Sequence, residues 1–362
     1  MAKSVAVVVR SFLLFLFSSQ FAAAQFAATP TGIPSLRPRL PNDTLCNHLI
    51  LPAGYPCSEH TVQTEDGYLL ALHRVSSRTG NISEQRGPPV LLQHGLFMDF
   101  WDWSWQELAL HDLADMICYI NSITNTKIFV VGHSQGTIMS LAAFTQPDIV
   151  EMVEAAALLC PISYLGHVSA PFVLRMVNMH LDQMILAMGI HELDFRSDWG
   201  INLMDSICDG HVDCSDLLSS ITGKNCCFNN SRVDFYLEYE PHPSSSKNLR
   251  HLFQMIRKGK FSKYDYGLIK NLKLYGQMKP PIFDLGHIPK SLPLWIAYGG
   301  NDDLADVTDL QHTLKQLQSK PELLYLKNYG HIDFLLSVNA KKDVYDHMIR
   351  FFRSWGKSSS SY

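Results

Sequence analysis

A serine flanked by glycines, Gly132-His133-Ser134-Gln135-Gly136, directly follows the apolar run Lys127-Ile128-Phe129-Val130-Val131, and nothing else in the chain constrains its fold as strongly. The β-branched and aromatic run predicts a strand. The segment after the motif, Thr137-Ile138-Met139-Ser140-Leu141-Ala142-Ala143-Phe144, predicts a small-residue helix stopped at Pro147. A serine between strand and helix sits on an elbow too sharp and too closely packed for side chains on its flanks, so Gly132 and Gly136 are needed there. The hydroxyl is then exposed at the top of a sheet. The pentapeptide pattern alone recurs by chance in roughly one chain in ten of this size; its strand-and-helix setting gives it weight.

An elbow serine becomes a nucleophile only beside a base, and the base needs a carboxylate to orient it. On such sheets the three follow in the order Ser, Asp/Glu, His. Downstream, Leu294-Trp295-Ile296-Ala297-Tyr298 predicts a buried strand, and Gly299-Gly300-Asn301-Asp302 places an acid just past its end. A further strand, Glu322-Leu323-Leu324-Tyr325-Leu326, runs into Asn328-Tyr329-Gly330-His331. Both groups therefore fall at carboxyl ends of strands, where open α/β sheets gather their catalytic groups. Asp303 and Asp306 compete with Asp302, but either can cap the helix beginning near Val307, and Asp302 lies nearest the strand end.

Attack on an ester creates an oxyanion that needs two preorganised N–H donors. One belongs to Gln135, the residue after the nucleophile. The other is assigned to Leu96, in the loop where Pro89-Val90-Leu91-Leu92-Gln93 opens into His94-Gly95.

With these groups placed, the chain resembles the acid lipase family: the gastric and lysosomal lipases and, most closely, plant triacylglycerol lipases. The resemblance runs from about Cys46 to Phe352. It is carried by Thr64-Glu65-Asp66-Gly67-Tyr68, Leu92-Gln93-His94-Gly95-Leu96, the serine elbow, Tyr264-Asp265-Tyr266-Gly267, Gly299-Gly300-Asn301-Asp302 and Gly330-His331-Ile332-Asp333-Phe334. It implies an α/β-hydrolase fold with a mostly parallel central sheet and a helical cap inserted between later strands. The family triad falls on Ser134, Asp302 and His331, its oxyanion donors on Leu96 and Gln135, and its elbow on Gly132, His133 and Gly136. The implied activity is hydrolysis of neutral acylglycerols or steryl esters at a lipid–water interface, with no metal or organic cofactor.

One departure from the family is large. Helix, strand, helix and strand belong between oxyanion loop and nucleophile, and each crossover needs roughly 30 residues. Only 38 residues separate Leu96 from Ser134. They hold a single helix, opened by a Ser104/Glu107 capping box and carrying Ala109, Leu113, Met116, Ile117, Ile120 and Ile123 at helical spacing, then the strand before the elbow. A helix and strand are thus missing between Met98 and Asp99, a cut clean enough to suggest a skipped exon or gene-model error. The lost strand belongs between the one at Tyr68–Val75 and the one at Pro89–His94; its absence either leaves a gap or forces those two together. The strands at Pro89–His94 and Lys127–Val131 can still pair through one right-handed crossover. Removing a parallel strand exposes core surface, so an inactive or weakly active form, acting at most as a lipid-binding protein, stands beside the active lipase; a steryl esterase or phospholipase is the second enzymatic alternative.

The remaining sequence divides around this core. Residues 1–24 read as a signal peptide, with Lys3, Arg10, the apolar Phe12-Leu13-Leu14-Phe15-Leu16-Phe17 and Ala22-Ala23-Ala24. This is too short and interrupted for a transmembrane segment. Residues 25–45 form a Pro/Ser/Thr-rich leader, 46–163 the first part of the core, 164–293 the cap, 294–356 the second part, and 357–362 a serine-rich tail. Sequons at Asn42, Asn81 and Asn229 agree with the secretory pathway, with an extracellular or vacuolar/lysosomal destination. A net charge of −4 offers no nucleic-acid footprint; oligomeric state is not encoded legibly.

Eight cysteines suit an oxidising compartment. Cys46 and Cys57 are expected to pair. Cys208, Cys214, Cys226 and Cys227 allow three pairings, while Cys118 and Cys160 are expected as buried thiols. Zinc is disfavoured because neither a C-x-x-C pair nor suitably spaced histidines occur. Within the cap, Val173–Leu186 and Lys247–Ile256 predict helices. The first leads a Met-rich apolar segment reaching Met188, which reads equally as a lid over an acyl pocket and as ordinary cap core.

Overall fold

The computed structural model describes residues 44–78, 87–96, 103–194, 217–229 and 243–356. The signal peptide, most of the leader, Asn42, Asn81, Cys208, Cys214, the Met98/Asp99 junction and the tail lie outside these residues. The chain divides into two compact units. One takes the described residues up to Glu59 together with His73–Arg78; the other takes His60–Leu72 and the described residues from Gly87 on. The first unit is tied by the expected Cys46–Cys57 disulfide and by Arg78, which donates to the Ala53 carbonyl at 2.9 Å and covers the Tyr55 ring.

Strands β1 (Cys57–Gln63) and β2 (Leu69–Val75) form their own two-stranded sheet, joined by the turn at Thr64–Tyr68. The main sheet starts with β3 (Val90–Gln93), followed by β4 (Ile128–His133) and β5 (Val153–Leu159). A two-residue ladder in the cap joins β6 (Glu192–Leu193) to β7 (Ser244–Ser245). The main sheet then receives β8 (Leu294–Gly299) and β9 (Glu322–Leu326). Its order is β3-β4-β5-β8-β9, and every pair is parallel. β2 and β3 are not paired with each other. The single crossover from β3 to β4 holds, with Val90 opposite Phe129 and Gln93 opposite Gly132.

Burial follows position in the sheet. All of β4 is buried, as expected for a strand covered on both faces, whereas β3 alternates exposed and buried and β9 is largely exposed. The β3-to-β4 helix begins at Ser104 with the expected capping box: the Ser104 N–H donates to Glu107 Oε2 at 2.8 Å. It runs from Trp105–Glu107 through a π-turn at Leu108–Asp112 into Leu113–Thr124. Ala109, Leu113 and Ile117 are buried and Met116 and Ile120 half-buried, but Ile123 is exposed because the last helical turn extends past the sheet. Cys118, one residue on from the buried Ile117 and so turned off the helix face that meets the core, is exposed rather than buried.

The cap shares the sheet's compact unit and hydrophobic core rather than forming a unit of its own. The helix expected over Val173–Leu186 is two, Pro171–Asn178 and Leu181–Ala187, because His180 turns left-handed at φ +52°. The Met-rich segment divides accordingly: Val173, Met176, Val177, Leu181 and Ile185 are core, while Met179, Met184 and Met188 are exposed. The second predicted cap helix spans Ser246–Lys258.

Ser104→Ala should remove the cap of the crossover helix and lower the unfolding free energy by about 1 kcal/mol, read from urea titration. An unchanged midpoint would show that the box contributes nothing.

Candidate active site

Ser134 occupies the turn between β4 and the helix Gln135–Ala143 with φ +54° and ψ −120°, a backbone conformation that a residue with a side chain adopts only when its surroundings enforce it. Its N–H donates to the Leu159 carbonyl at 3.1 Å and its carbonyl accepts from Thr137 Oγ1 at 2.6 Å. The glycine requirement is literal. A Cβ on Gly132 would stand 2.6 Å from the Gly136 carbonyl oxygen, and one on Gly136 would stand 2.6 Å from that of Gln93 and 2.7 Å from that of His94. The end of β3 is thereby pressed against the elbow. Gly95 follows it there, its missing Cβ only 3.3 Å from Ser134 Cβ.

Asp302 and His331 meet across the ends of β8 and β9. The His331 Nδ1 lies 3.0 and 2.9 Å from the two carboxylate oxygens of Asp302, both residues being buried. Asp302 Oδ1 also accepts from the N–H groups of Leu304 and Ala305. Burial alone would raise the Asp302 carboxyl, but the His331 charge and hydrogen bond, with these two amides, outweigh it and hold it below the usual range. The pair fixes the tautomer: Nδ1–H donates to the carboxylate and leaves Nε2 as a bare base. That nitrogen is buried without a hydrogen-bond partner, so the Ser134 hydroxyl is not bonded to it in this state. Such contacts commonly close only when substrate binds.

The rival acids are engaged elsewhere. Asp303 accepts from Ser169 Oγ, and Asp306 caps the helix Val307–Gln316 through the Thr308 N–H. Of the two expected oxyanion donors, Gln135 is the first residue of its helix, so its N–H has no intrahelical acceptor. Leu96 is half-buried in the loop beside Gly95 and packs against the core. Of the sequons, Asn229 is half-buried and hydrogen-bonded or otherwise engaged.

Asn248 and Cys160 were not marked as supporting residues by the sequence, and His133 was marked only as part of the elbow. Asn248, fully buried on a cap helix, donates to the Gln135 side chain at 2.8 Å and accepts from the Trp105 N–H at 2.8 Å. His133 and Cys160 both face the His331 carbonyl, through Nε2 at 3.1 Å and Sγ at 3.2 Å. Cys160 sits one residue past β5 at φ +50° and is a buried thiol as expected. No single-sequence pattern distinguishes such residues from core. Burial pushes the His133 imidazole down to about 3, helped by the His331 charge 5.0 Å away between ring centroids. Burial and the nearby Asp302 charge push the Cys160 thiol well above its ordinary value. Cys160, Asp302 and His331 offer ligand atoms within 4.8 Å of one another, but a thiol held protonated and a histidine bonded to its carboxylate suit a proton relay better than a cation.

Comparison with known proteins finds relatives over most of the chain. Residues 46–107 match a family described as "Partial alpha/beta-hydrolase lipase region". The chain is 58% identical to "Triacylglycerol lipase 1" of Arabidopsis thaliana over an alignment of 367 positions, covering 88% of this chain and 93% of that one. It is 29% identical to the human "Gastric triacylglycerol lipase", covering 87% and 92%. Among solved structures, the "Alpha/beta hydrolase GrgF from Penicillium sp. sh18" superposes with a TM-score of 0.50 at 15% identity, covering 83% of this chain and 99% of that one. The share of this chain in the Arabidopsis alignment is about 319 residues, so roughly 48 of the 367 positions face a gap in it.

Two buried histidines set the acid stability. Burial also pushes His251 down to about 4, between Ser104 Oγ and the Ser262 carbonyl. Both are neutral when folded, while in the unfolded chain they take a proton near 6.5. Their contribution is therefore complete above pH 6.5 and declines as pH falls toward 4, by as much as about 1.4 kcal/mol per pH unit for each. Urea unfolding between pH 6.5 and 4.5 should show this decline, and His251→Asn should flatten it; an unchanged slope would refute the assignment.

Proposed function

The chain belongs to the acid lipase family of the α/β-hydrolases, and on that premise we propose that it hydrolyses carboxylic esters of neutral lipids, triacylglycerol foremost, through Ser134, His331 and Asp302. The observation that carries the reading is the buried Asp302–His331 pair, which leaves the imidazole Nε2 without a hydrogen-bond partner. His331 takes the Ser134 proton as the hydroxyl attacks the ester carbonyl. The N–H groups of Gln135 and Leu96 receive the developing oxyanion. His331 then gives its proton to the departing alcohol, and water activated by the same nitrogen hydrolyses the acyl-enzyme. Asp302 holds the ring in the reactive tautomer and stabilises the imidazolium.

The acylglycerol substrate is that of the Arabidopsis and human triacylglycerol lipases to which the chain is similar. The cap supports it: Met184, Met188, Leu268, Ile269, Leu272 and Met278 expose apolar side chains, as a surface meeting lipid requires. A secretory route, with an extracellular or vacuolar/lysosomal destination, is supported by the N-terminal apolar segment, the sequons and two disulfides.

A second reading, an inactive or weakly active form acting at most as a lipid-binding protein, is favoured by one observation: roughly 48 relative positions lack a counterpart, and β3 is left at the sheet edge. Among the described residues no helix is long and apolar enough to cross a membrane.

Ser134→Ala should abolish both short-chain ester hydrolysis and fluorophosphonate labelling, and Asp302→Asn should lower kcat on the order of 10⁴-fold. Parental turnover by Ser134→Ala would overturn the relay. A version carrying a family-like insert between Met98 and Asp99, assayed alongside, separates the two readings: equal turnover and melting temperature would remove the case for an impaired form.

A further inference from the structure

The cap sends one short segment, Thr222–Phe228, against both loops that carry the base and its carboxylate. The Thr222 carbonyl accepts the His331 N–H at 3.0 Å. Gly223, at φ +79°, passes so close to the Asp302 loop that a Cβ there would stand 1.9 Å from the Asn301 carbonyl oxygen. A Cβ on Gly330 would likewise meet Asn225 Oδ1 at 2.6 Å. The Cys227 carbonyl accepts the Val338 N–H, and Phe228 bridges to Ser337.

One side chain closes this arrangement. Asp333 is fully buried two residues after His331, and its carboxylate accepts from Gly330 N at 2.8 Å, Cys226 N at 2.9 Å and Cys227 N at 3.3 Å. It thus binds the residue before the histidine to the strap in front of it. A disulfide between Cys226 and Cys227, one of the pairings the cysteine count allowed, stiffens the strap where Asp333 grips it.

We propose that Asp333 is a positioning residue of the reaction: by clamping the strap Thr222–Phe228 to the histidine loop it holds the His331 ring on Asp302. The inference rests on the relay assigned to Ser134, His331 and Asp302. Asp333 reaches no reacting atom; it acts through the backbone of its neighbours. A carboxylate is suited to this because it accepts all three N–H groups, whereas an amide turns a donor toward at least one of them. Freed from the clamp, the ring drifts from Asp302, and a misplacement of about 1 Å can cost on the order of 10²-fold in rate.

The test compares the full-length protein with Asp333→Asn, Asn225→Ala, which removes the strap's own bonds from Asn225 Nδ2 to Thr222 Oγ1 and the Gly223 carbonyl, and Asp343→Asn, which removes an acceptor of the Tyr329 hydroxyl away from the strap. Activity is read on a soluble p-nitrophenyl ester, with fluorophosphonate labelling rates and the NMR resonance of the imidazole Nδ1 proton. Asp333→Asn is expected to lower kcat and the labelling rate about 10- to 100-fold with KM within twofold. It should also weaken the Nδ1 resonance and shift the acid limb of kcat/KM to lower pH, because an imidazolium farther from a carboxylate is less stabilised. Asn225→Ala should show the same changes more weakly, and Asp343→Asn should alter melting only. If Asp333→Asn and Asn225→Ala lose stability but keep parental kcat, pH profile and resonance, the inference is overturned; should Asp333→Asn not fold, Asn225→Ala decides by the same criteria. Activity surviving Ser134→Ala would instead overturn the relay itself.

Discussion

Parallel pairing of β4 between β3 and β5 is the interaction on which the rest of the structure depends. It brings the carboxyl ends of three strands level, so that the loop after β3, the elbow after β4 and the turn after β5 crowd into one small volume. The crowding is measured by the Gly136 position, where the Gln93 and His94 carbonyls leave no room for a methyl group. From that contact follow the backbone of Ser134, the first N–H of the helix behind it and the place of Gly95 beside the serine. Two further parallel pairings, to β8 and β9, set Asp302 and His331 at the same rim.

What the sequence revealed of this, and what it hid, divides along physical lines. Strands buried on both faces write themselves as unbroken apolar runs, which is why β4 and β8 could be located within a residue or two of their ends, while the largely exposed edge strand β9 was located by its own apolar run. The capping box at Ser104 and the helix cap at Asp306 were legible because a cap is a local chemical need met by adjacent residues. The Asp302–His331 pair was legible because each residue lies in the loop that follows its strand. Asn248 and the strap at Thr222–Phe228 were not, since their partners Trp105, Gln135, His331 and Asp333 lie about 110 or more residues away in sequence, with no periodicity to announce them. Nor did helical spacing reveal that His180 divides one apolar stretch in two, or that Cys118 and Ile123 are exposed.

β3 stands at the edge of the main sheet opposite β9. β3 ends the main sheet with Val90 and Leu92 exposed and Leu91 and Gln93 buried. Beside it lies a groove of about 320 Å³ lined by Pro88, Val90, Phe129, Ile349, Phe352, Arg353 and Gly356. An apolar edge of this kind is what a parallel sheet leaves when a neighbouring strand is withdrawn. Because β3 still pairs with β4 through its one crossover, the loop pressed against the elbow is kept whatever precedes it.

Electrostatics explain why the groups packed on His331 are the ones found there. In the proposed relay the buried imidazole becomes a cation, and any second positive charge nearby would oppose that step. His133, adjacent to the nucleophile and 5.0 Å from the His331 ring, is the obvious threat. Burial removes it, driving its imidazole to about 3, and its Nε2–H is used as a neutral donor to the His331 carbonyl. Cys160 makes the complementary contribution: a thiolate beside Asp302 would compete for the imidazolium, but burial keeps the proton on sulfur and turns it toward the same carbonyl. Asp302, satisfied by two amides as well as by Nδ1–H, keeps its charge despite complete burial. The two neutral groups thus hold the histidine backbone without altering the charge of the pair, and the carboxylate on Nδ1 stabilises the cation that the reaction creates.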